Sequence, residues 1–574
     1  IAIARQAGAQ AIHPGYGFLS ENPDFARLCE QSGITFLGPT PEQMTAFGLK
    51  HEARAIAQAA NVPLLPGSGL LADVNEALAE AERIGYPVML KSTAGGGGIG
   101  MQRCYTADEL VSAFASVKRL SENNFSNSGI FLEKFISDAR HIEVQIFGDG
   151  QGQVIAIGER DCSAQRRHQK VIEECPAPHL SEAARNELHQ TAIRLGERLS
   201  YRSAGTVEYV YDAQSERFYF LEVNTRLQVE HGVTEQVYGV DLVRWMIELG
   251  AGTLPDLATL AAPLQARGHA IQVRLYAEDP ARQFQPCAGL LSEVIFPATD
   301  RQRRRIDHWI ERGIEVPAFF DPMLAKLICH GEDRADALQE LSSLLAECQL
   351  YGIETNQRWL QALLQSPEVQ SGRVLTRTLA SFTFTPQTLE VLSGGTQSTL
   401  QDYPGRVGYW HIGVPPSGPM DNWSFRLGNR LLGNPEGATG LEFTLSGPTL
   451  KFHCPRRIVL AGAAMSARLL AADGSSQSLP HWQSVLVSAG STLQLGKIAD
   501  GGARCYLLIE GGFAAPDYLG SQSTFTLGQF GGHAGRALQA GDVLHLGQPL
   551  PEQQNQQKDI HLPVSLAESL QPQI

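Results

Sequence analysis

Residues 206–231, TVEYVYDAQSERFYFLEVNTRLQVEH, alternate apolar and polar positions on both sides of a polar connection at 212–217, which predicts a β-hairpin. In the return strand the alternation runs through ten residues. Leu221, Val223, Thr225, Leu227 and Val229 share one face, and Glu222, Asn224, Arg226, Gln228 and Glu230 share the other. A turn centred on Ser215 sets Glu208 directly across from Glu222, where carboxylates with Cβ atoms about 5 Å apart weaken a sheet unless a cation lies between them. A solvated edge strand rarely pairs its carboxylates in this way. Glu208, Glu222 and Asn224 offer hard oxygens of the kind Mg²⁺ takes beside phosphates, and Arg226 can hold a planar anion through two N–H groups.

Elsewhere the pattern divides the chain. Residues 1–37 pass from an Ala-rich helix through a Gly/Pro turn, HPGYGFLSEN, into a second helix ending near Gly33, half of a doubly wound unit. A helix at 50–61 leads into a Pro/Gly-rich loop. Then come helix 73–84, strand PVMLKS, a Gly-rich loop at 93–100, helix 106–120 and strand GIFLEKFI, an α-β-α-β order. Strand pairs at 142–148 and 152–161 and a helix at 182–199, with Leu188, Ala192, Leu195 and Leu199 on one stripe, precede the hairpin. Helix 241–250, strand 270–279 and an amphipathic helix at 334–350 with Leu338, Leu341 and Leu345 inward follow it. Near Thr385 short β runs broken by Gly, Pro and Asp take over up to about Pro549, and a Gln-rich end reads as linker or tail. The fold class is α/β plus all-β, with divisions at 1–64, 65–136, 137–384, 388–549 and 550–574.

With 574 residues, 43% of them apolar, the chain has room for several cores. A formal charge of −14 argues against nucleic acid as partner. Nine cysteines without a CxxC pair fit a reducing cytoplasm, and no apolar run reaches membrane-spanning length. The chain opens on Ile1 inside a helix-like stretch without a cap, as expected of a truncated start.

Lys91 stands at a strand end before a loop almost free of side chains, KSTAGGGGIG. It is not a Walker A sequence, since no Gly-Lys-Ser/Thr closes it, and the expectation is a lid whose backbone N–H groups meet oxyanions rather than a plain connector. Arg166, Arg167, His168 and Lys170, beside Gln165, crowd into a β-rich stretch; a solvated charge run is the usual meaning, but its place ahead of the hairpin favours anion binding.

HPGYGFLSEN, KSTAGGGGIGM, FLEKFI, ERDCSAQRRHQKVIEECPAP and FLEVNTRLQVEHGVTE, in that order, resemble the biotin carboxylase family of ATP-grasp enzymes over residues 1 to about 384. The resemblance makes 1–64 the remnant of an N-terminal subdomain, 65–136 the lid, and 137–384 the remaining ATP-grasp body. It implies that Lys50, Lys91, the Gly97-Gly98 backbone, Glu133, Lys134, Phe135, Ile136, His141, Gln165 and His168 bind ATP, and that Glu208, Glu222 and Asn224 hold Mg²⁺ or Mn²⁺. By the same resemblance Lys170, Arg226, Gln228 and the Val229 backbone bind bicarbonate, Glu230 is the general base that deprotonates it, and Arg305 stands near biotin. Bicarbonate attack on the γ-phosphate needs metal and lysines against phosphate charge, an arginine for the carboxylate, and a base. Glu230 at an ordinary carboxylate pKa, about 4.3, would be ionised at neutral pH, and Arg226 is expected to keep it so.

Residues 400–435, 440–452 and 520–542 resemble the first half of the carboxyltransferase domain of urea carboxylase, a cyclophilin-like β-barrel fold shared with Kip-type proteins and 5-oxoprolinase subunits. In that family the domain carboxylates urea to allophanate. Gln401, Asp402, Arg406, Ser417, Asp421, Asn434 and Glu442 supply the acceptors and donors a urea site needs. The two resemblances imply an ATP-, bicarbonate- and biotin-dependent ligase whose partners are small molecules and a biotin carboxyl carrier domain; a homo-oligomer is compatible. A biotin carboxylase serving acyl-CoA or pyruvate is the alternative, as is a Kip-type or 5-oxoprolinase-like binding module. No Met-Lys-Met biotinylation sequence and no second transferase half appear, so a fragment is expected, able at most to carboxylate free biotin. Gly97→Val should weaken ATP use more than stability, because valine resists backbone angles that glycine admits; the KM for ATP set against the melting temperature checks this, and equal ATP kinetics would make the loop a connector.

Overall fold

The alternation that predicts the hairpin recurs through 139–175 and 269–331, and in the computed structural model these runs join one antiparallel sheet of eight strands. The structure describes residues 1–92, 101–124, 129–499 and 501–551, with the backbone alone at 50, 51 and 120–124. Gly97 and Gly98 lie outside the described residues, and Lys50 opens helix Lys50–Ala59 with its side chain undescribed. In chain order the strands are β1 (Ala139–Asp149), β2 (Val154–Arg166), β3 (Gln169–Cys175), β4 (Arg202–Asp212), β5 (Arg217–Asn224), β6 (His269–Tyr276), β7 (Arg304–His308) and β8 (Met323–Gly331). In space they run β5-β4-β1-β2-β3-β6-β8-β7. One face of β1 and β4 sends Ile142, Val144, Ile146, Val207 and Tyr209 into a core with Leu188, Ala192 and Leu195 of helix Glu182–Glu197. That helix starts where Ser181 Oγ accepts the Ala184 N–H at 3.2 Å. The opposite face is left for polar side chains.

Ahead of the sheet, helices Val74–Ile84 and Ala107–Asn124 cover a three-stranded sheet of Val88–Ser92, Met101–Cys104 and Ile130–Lys134. The α-β-α-β order expected from sequence thus gains a strand, Met101–Cys104, which pairs back on Val88–Ser92. Too short to show a period, it is revealed by its partner. At the N-terminus Ala11–Ile12 and Thr35–Phe36 pair in parallel around helix Pro23–Gln31, as half a doubly wound unit requires.

Two expected lengths shorten. The return strand of the hairpin ends at Asn224, because the Thr225 N–H donates to the Glu21 carboxylate at 2.9 Å instead of to a ladder partner. The helix expected to reach 350 stops at Glu347; Cys348 turns extended and Gln349–Tyr351 pairs with Glu293–Ile295. Leu338, Leu341 and Leu345 are inward, as the stripe predicts.

Beyond Thr388 a six-stranded and a five-stranded sheet share one core, in which Leu389, Leu450, Phe452 and Leu493 of the first meet Leu441, Phe443, Leu460 and Leu507 of the second. The expectation of an all-β region needs correction, since helix Asn422–Leu431 packs Phe425 and Leu431 against Val459, Tyr506 and Leu508. Asp421 caps it, accepting the Ser424 N–H at 3.1 Å. The two halves of the chain touch where His545 meets Glu354 at 2.8 Å and Arg358 donates to the Leu546 carbonyl. Among the described residues no helix is long and apolar enough to cross a membrane.

Gly148, on β1, runs so close to the next chain segment that an added Cβ would sit 1.9 Å from the Tyr201 carbonyl oxygen. Gly148→Ala should therefore cost about 1–3 kcal/mol, as overpacking does in a rigid core; chemical denaturation measures it, and an unchanged midpoint would show that the backbone here yields.

Candidate active site

The polar face of the sheet builds a row of charge. Strand register pairs Arg160 with Glu143, Glu143 with Glu208, and Glu208 with Glu222, so four adjacent strands contribute one residue each. The facing of Glu208 and Glu222 does not come from a turn centred on Ser215. At the tip Asp212 pairs with Arg217 and Tyr209 with Phe220; an irregularity between Phe220 and Glu222 then shifts the register by one residue and brings the carboxylates together.

Three like charges in a row need cations, and the protein provides several. Arg160, fully buried, donates through Nε to Glu143 at 2.6 Å and through Nη1 to Gln145 at 2.7 Å and Thr234 at 3.0 Å. Lys170 Nζ donates to Glu143 at 2.6 Å, Glu208 at 3.0 Å and Glu230 at 2.6 Å. His141 Nε2 lies 3.3 Å from Glu208 and 3.6 Å from Glu143. Burial pushes the Glu143 and Glu208 carboxyls up, but Arg160 and Lys170 on the first, and Lys170 and His141 on the second, hold both well below the usual range. Burial and Lys170 lower the His141 imidazole, yet Glu208 and Glu143 together outweigh them and the ring is pushed up to about 9. The cation expected at this point is thus partly internal.

Past Asn224 the chain leaves the sheet, and Arg226 is gripped by its neighbours: Nε meets Glu21 at 3.0 Å, Nη1 meets Gln228 at 3.1 Å and Nη2 meets Asn224 at 3.4 Å. Gln228 Nε2 donates to Glu208 at 3.2 Å, and the Val229 carbonyl accepts from Lys326 at 2.9 Å. Glu230 is fully buried between Lys170 and Arg274, the latter at 3.0 Å. Burial pushes its carboxyl up, Lys170 and Arg274 bring it below the ordinary value, and Glu143 opposes them. The expectation that Arg226 keeps Glu230 ionised is therefore corrected: Lys170 and Arg274 do so. Arg305 is held by Glu235 at 2.6 Å and by Asp307 at 2.9 Å.

A cleft of about 1310 Å³ opens over this face. Lys91, Lys134, Phe135, Ile136, His141, Gln165, His168, Lys170, Glu208, Glu222, Asn224, Arg226, Gln228 and Val229 line it; Glu133 and Glu230 back the lining lysines Lys91 and Lys170, and Arg305 is not part of the lining. Lys91 and Arg54 both pair with the Glu133 carboxylate, and Lys134 Nζ is tied to the carbonyls of Gly85 and Tyr86 at 2.8 and 2.9 Å. Gln165 donates to the Cys162 carbonyl, and His168 follows Arg167 through a left-handed turn between β2 and β3. The charge run is less free than its sequence suggests, since Arg166 pairs with Glu278 at 2.5 Å and stacks 3.9 Å over Phe284. Sequence reasoning missed Glu143, Arg160, Arg274, Glu21 and Lys326, and also the far wall, formed by Thr376, Leu379 and Phe382. Glu143 stood on the polar side of the predicted strand IEVQIFG, and that was its signal.

Ligand atoms of His141, Glu143 and Glu208 lie within 4.8 Å of one another, two hard carboxylate oxygens and a ring nitrogen of the kind a divalent cation takes; of the expected ligands Glu208, Glu222 and Asn224 this cluster contains Glu208 alone.

In the second half the candidate polar residues fall into separate groups. Asp402 accepts from Ser521 and Ser523 at 2.5 Å each, and Arg406, fully buried, donates to the carbonyls of Tyr518 and Ser523. Gln401 accepts the N–H of Gly418, next to the half-buried Ser417. Asp421 and Glu442 meet through the Tyr506 hydroxyl, which accepts from the Asp421 N–H and donates to Glu442 at 2.9 Å. Asn434 lies apart, bracing the Ile509 carbonyl and the Gly511 N–H. Cap and brace are structural roles.

Models of known families match four successive stretches: the biotin carboxylase N-terminal domain over 1–44, the ATP-binding domain of the carbamoyl-phosphate synthase L chain over 50–257, the biotin carboxylase C-terminal domain over 272–381, and the carboxyltransferase domain, subdomain A and B, over 412–573. A urea amidolyase of Saccharomyces cerevisiae is 49% identical over the whole chain, which spans 30% of that relative. A biotin carboxylase of Halalkalibacterium halodurans is 46% identical over 65% of the chain and 82% of its own length. The crystal structure of the Kluyveromyces lactis urea carboxylase matches all of the chain with a TM-score of 0.79 at 41% identity, and the chain covers 43% of it. The chain thus spans under half the length of these urea-processing relatives.

Lys170→Met should cost about 3–5 kcal/mol at neutral pH, since it strands three buried carboxylates. With Lys170 present, Glu143 and Glu208 titrate below their unfolded values, so the stability they add is full at neutral pH and is lost as the pH falls through their folded values. Without it Glu208 and Glu230 lose the largest of the charges that offset their burial and their carboxyls rise, so the gap between variant and parent should narrow on going from about pH 7.5 to about pH 5.5. Urea denaturation at both values measures this; a gap that stays constant would remove the carboxylates as its cause.

Proposed function

The chain belongs to the biotin carboxylase family and continues into a carboxyltransferase region like that of urea carboxylase, and from this we propose that it serves the ATP- and bicarbonate-dependent carboxylation of biotin and the transfer of that carboxyl group to urea, giving allophanate. The observation that carries the proposal is the arrangement around Lys170: a base, anion-binding groups and a carboxylate row facing one cleft large enough for a nucleotide. A biotin carboxylase for acyl-CoA or pyruvate would share that cleft, but the likeness to a urea amidolyase and to a urea carboxylase runs through the second half as well, and this favours urea.

In this reading Lys91, Phe135, Ile136, Gln165 and His168 hold ATP, with Glu133 keeping Lys91 in place. Glu208, Glu222 and Asn224 would hold Mg²⁺, which when bound offsets phosphate charge. Arg226, kept in position by Glu21 and Gln228, presents its guanidinium to bicarbonate, and Lys170 adds positive charge beside it. Glu230, ionised between Lys170 and Arg274, takes the bicarbonate proton as the oxygen attacks the γ-phosphate. Arg305, oriented by Glu235 and Asp307, faces biotin, which supplies the ureido nitrogen that carries the carboxyl group. A biotinylated carrier domain is the partner that moves it. The two sheets beyond Thr388, wrapped on one core, support a cyclophilin-like barrel, with the first half divided as lid and body near 136. Nine free cysteines suit the reducing cytoplasm.

Given ATP, Mg²⁺, bicarbonate and free biotin, the chain should release ADP that requires both bicarbonate and biotin, and Glu222→Gln should lower that rate by roughly 10²-fold or more while the melting temperature holds. ADP release indifferent to biotin and bicarbonate would overturn the proposal. Normal turnover with unchanged Mg²⁺ dependence in Glu222→Gln would remove the hairpin from the metal site.

A further inference from the structure

The three-stranded sheet of Val88–Ser92, Met101–Cys104 and Ile130–Lys134 also lines the cleft, and it brings three cations there: Lys91, Lys134 and Arg103. Two of them are engaged within the protein. Lys91 pairs with Glu133, and Lys134 Nζ is tied to the Gly85 and Tyr86 carbonyls. Arg103 is exposed and stands over two rings, its Cζ 5.1 Å from the Tyr105 centroid and 5.2 Å from that of Phe135; among the described residues no carboxylate or carbonyl holds it. A guanidinium is weakly hydrated and rests well on aromatic rings. Such support places the cation without consuming its N–H groups, which stay open to an acceptor entering the cleft. Register says where that acceptor would lie. Met101 pairs with Lys91 and Arg103 with Met89, and residues paired across antiparallel strands share a face, so all four look into the cleft. Arg103 is thus one step of two residues, about 7 Å, along the strand from the position opposite Lys91. Around it the lining is apolar, with Met89, Met101 and Phe135. An apolar surface with a few placed donors suits a flat heteroaromatic ring, whereas a phosphate chain needs the charge gathered at Lys91 and Lys170.

We infer that Arg103 is a further nucleotide-binding residue, which donates an N–H to an acceptor nitrogen of a purine base seated beside Phe135. This rests on the reading of the cleft as the ATP site. A purine carries ring-nitrogen acceptors on its edges, and the planar fork of an arginine held by Tyr105 and Phe135 is already oriented to meet one. Because the contact is to the base, it tightens the nucleotide without entering the phosphoryl-transfer step.

The test compares this chain with Arg103→Met by calorimetric titration of ADP, AMP and adenosine at about 0.15 M salt, where attraction between separated exposed charges is largely screened. The exposed position leaves the fold intact, and an unchanged melting temperature serves as the control. Arg103→Met should weaken all three ligands by the same factor, roughly tenfold. The KM for ATP in biotin-dependent ADP release should rise to match, with kcat held. ADP binding within about threefold of the parent would overturn the assignment. A loss for ADP exceeding that for adenosine by more than about threefold would overturn it too, since the guanidinium would then serve phosphate rather than base. Should the parent bind no adenine nucleotide, the reading of the cleft falls and this inference with it; a parent that binds ADP beside a variant that binds it equally well overturns the role of Arg103 alone.

Discussion

Everything in the first half depends on one ammonium group. Lys170 bonds carboxylates from β1, from β4 and from the turn ahead of helix His231–Tyr238, three elements that no local rule brings together. Taking four such charges out of water is costly, and the cost is offset only because each oxygen has another partner: Arg160 on Glu143, His141 and Gln228 on Glu208, Arg274 on Glu230. The network does not primarily make the protein stable, since apolar residues would fill the space as well. It keeps a base, an anion site and a carboxylate row in fixed relation, and a site that handles phosphate and bicarbonate needs this kind of preorganised charge.

The N-terminal layer joins the same network. Glu21 takes the Thr225 N–H and the Arg226 guanidinium, and Tyr16 lies beneath Lys326, its ring 5.4 Å from the ammonium. The motif HPGYGFLSEN is therefore part of the wall of the site, where its sequence suggests only a turn.

Much of this was legible from residue order alone. The hairpin and the two faces of its strands follow from a period of two, whereas Glu208 meets Glu222 only through a register shift that the alternation does not show. Glu143 and Arg160 did not emerge, because their importance lies in being neighbours of β4 and of each other, and strand order is not a local property. The break after Asn224 was hidden for a related reason: the alternation of 225–230 is perfect, and the competing acceptor, Glu21, is some two hundred residues away in sequence. In the second half the Gly- and Pro-rich spacing announced turns correctly but concealed helix Asn422–Leu431, whose cap, Asp421, had been grouped with recognition residues.

The register shift between Phe220 and Glu222 works as a clutch. On the tip side the two strands count one way, on the cleft side another, and the extra residue absorbs the difference. Counted from the tip alone, Glu208 would stand opposite the apolar Leu221, and the row of charge across four strands would end one strand early.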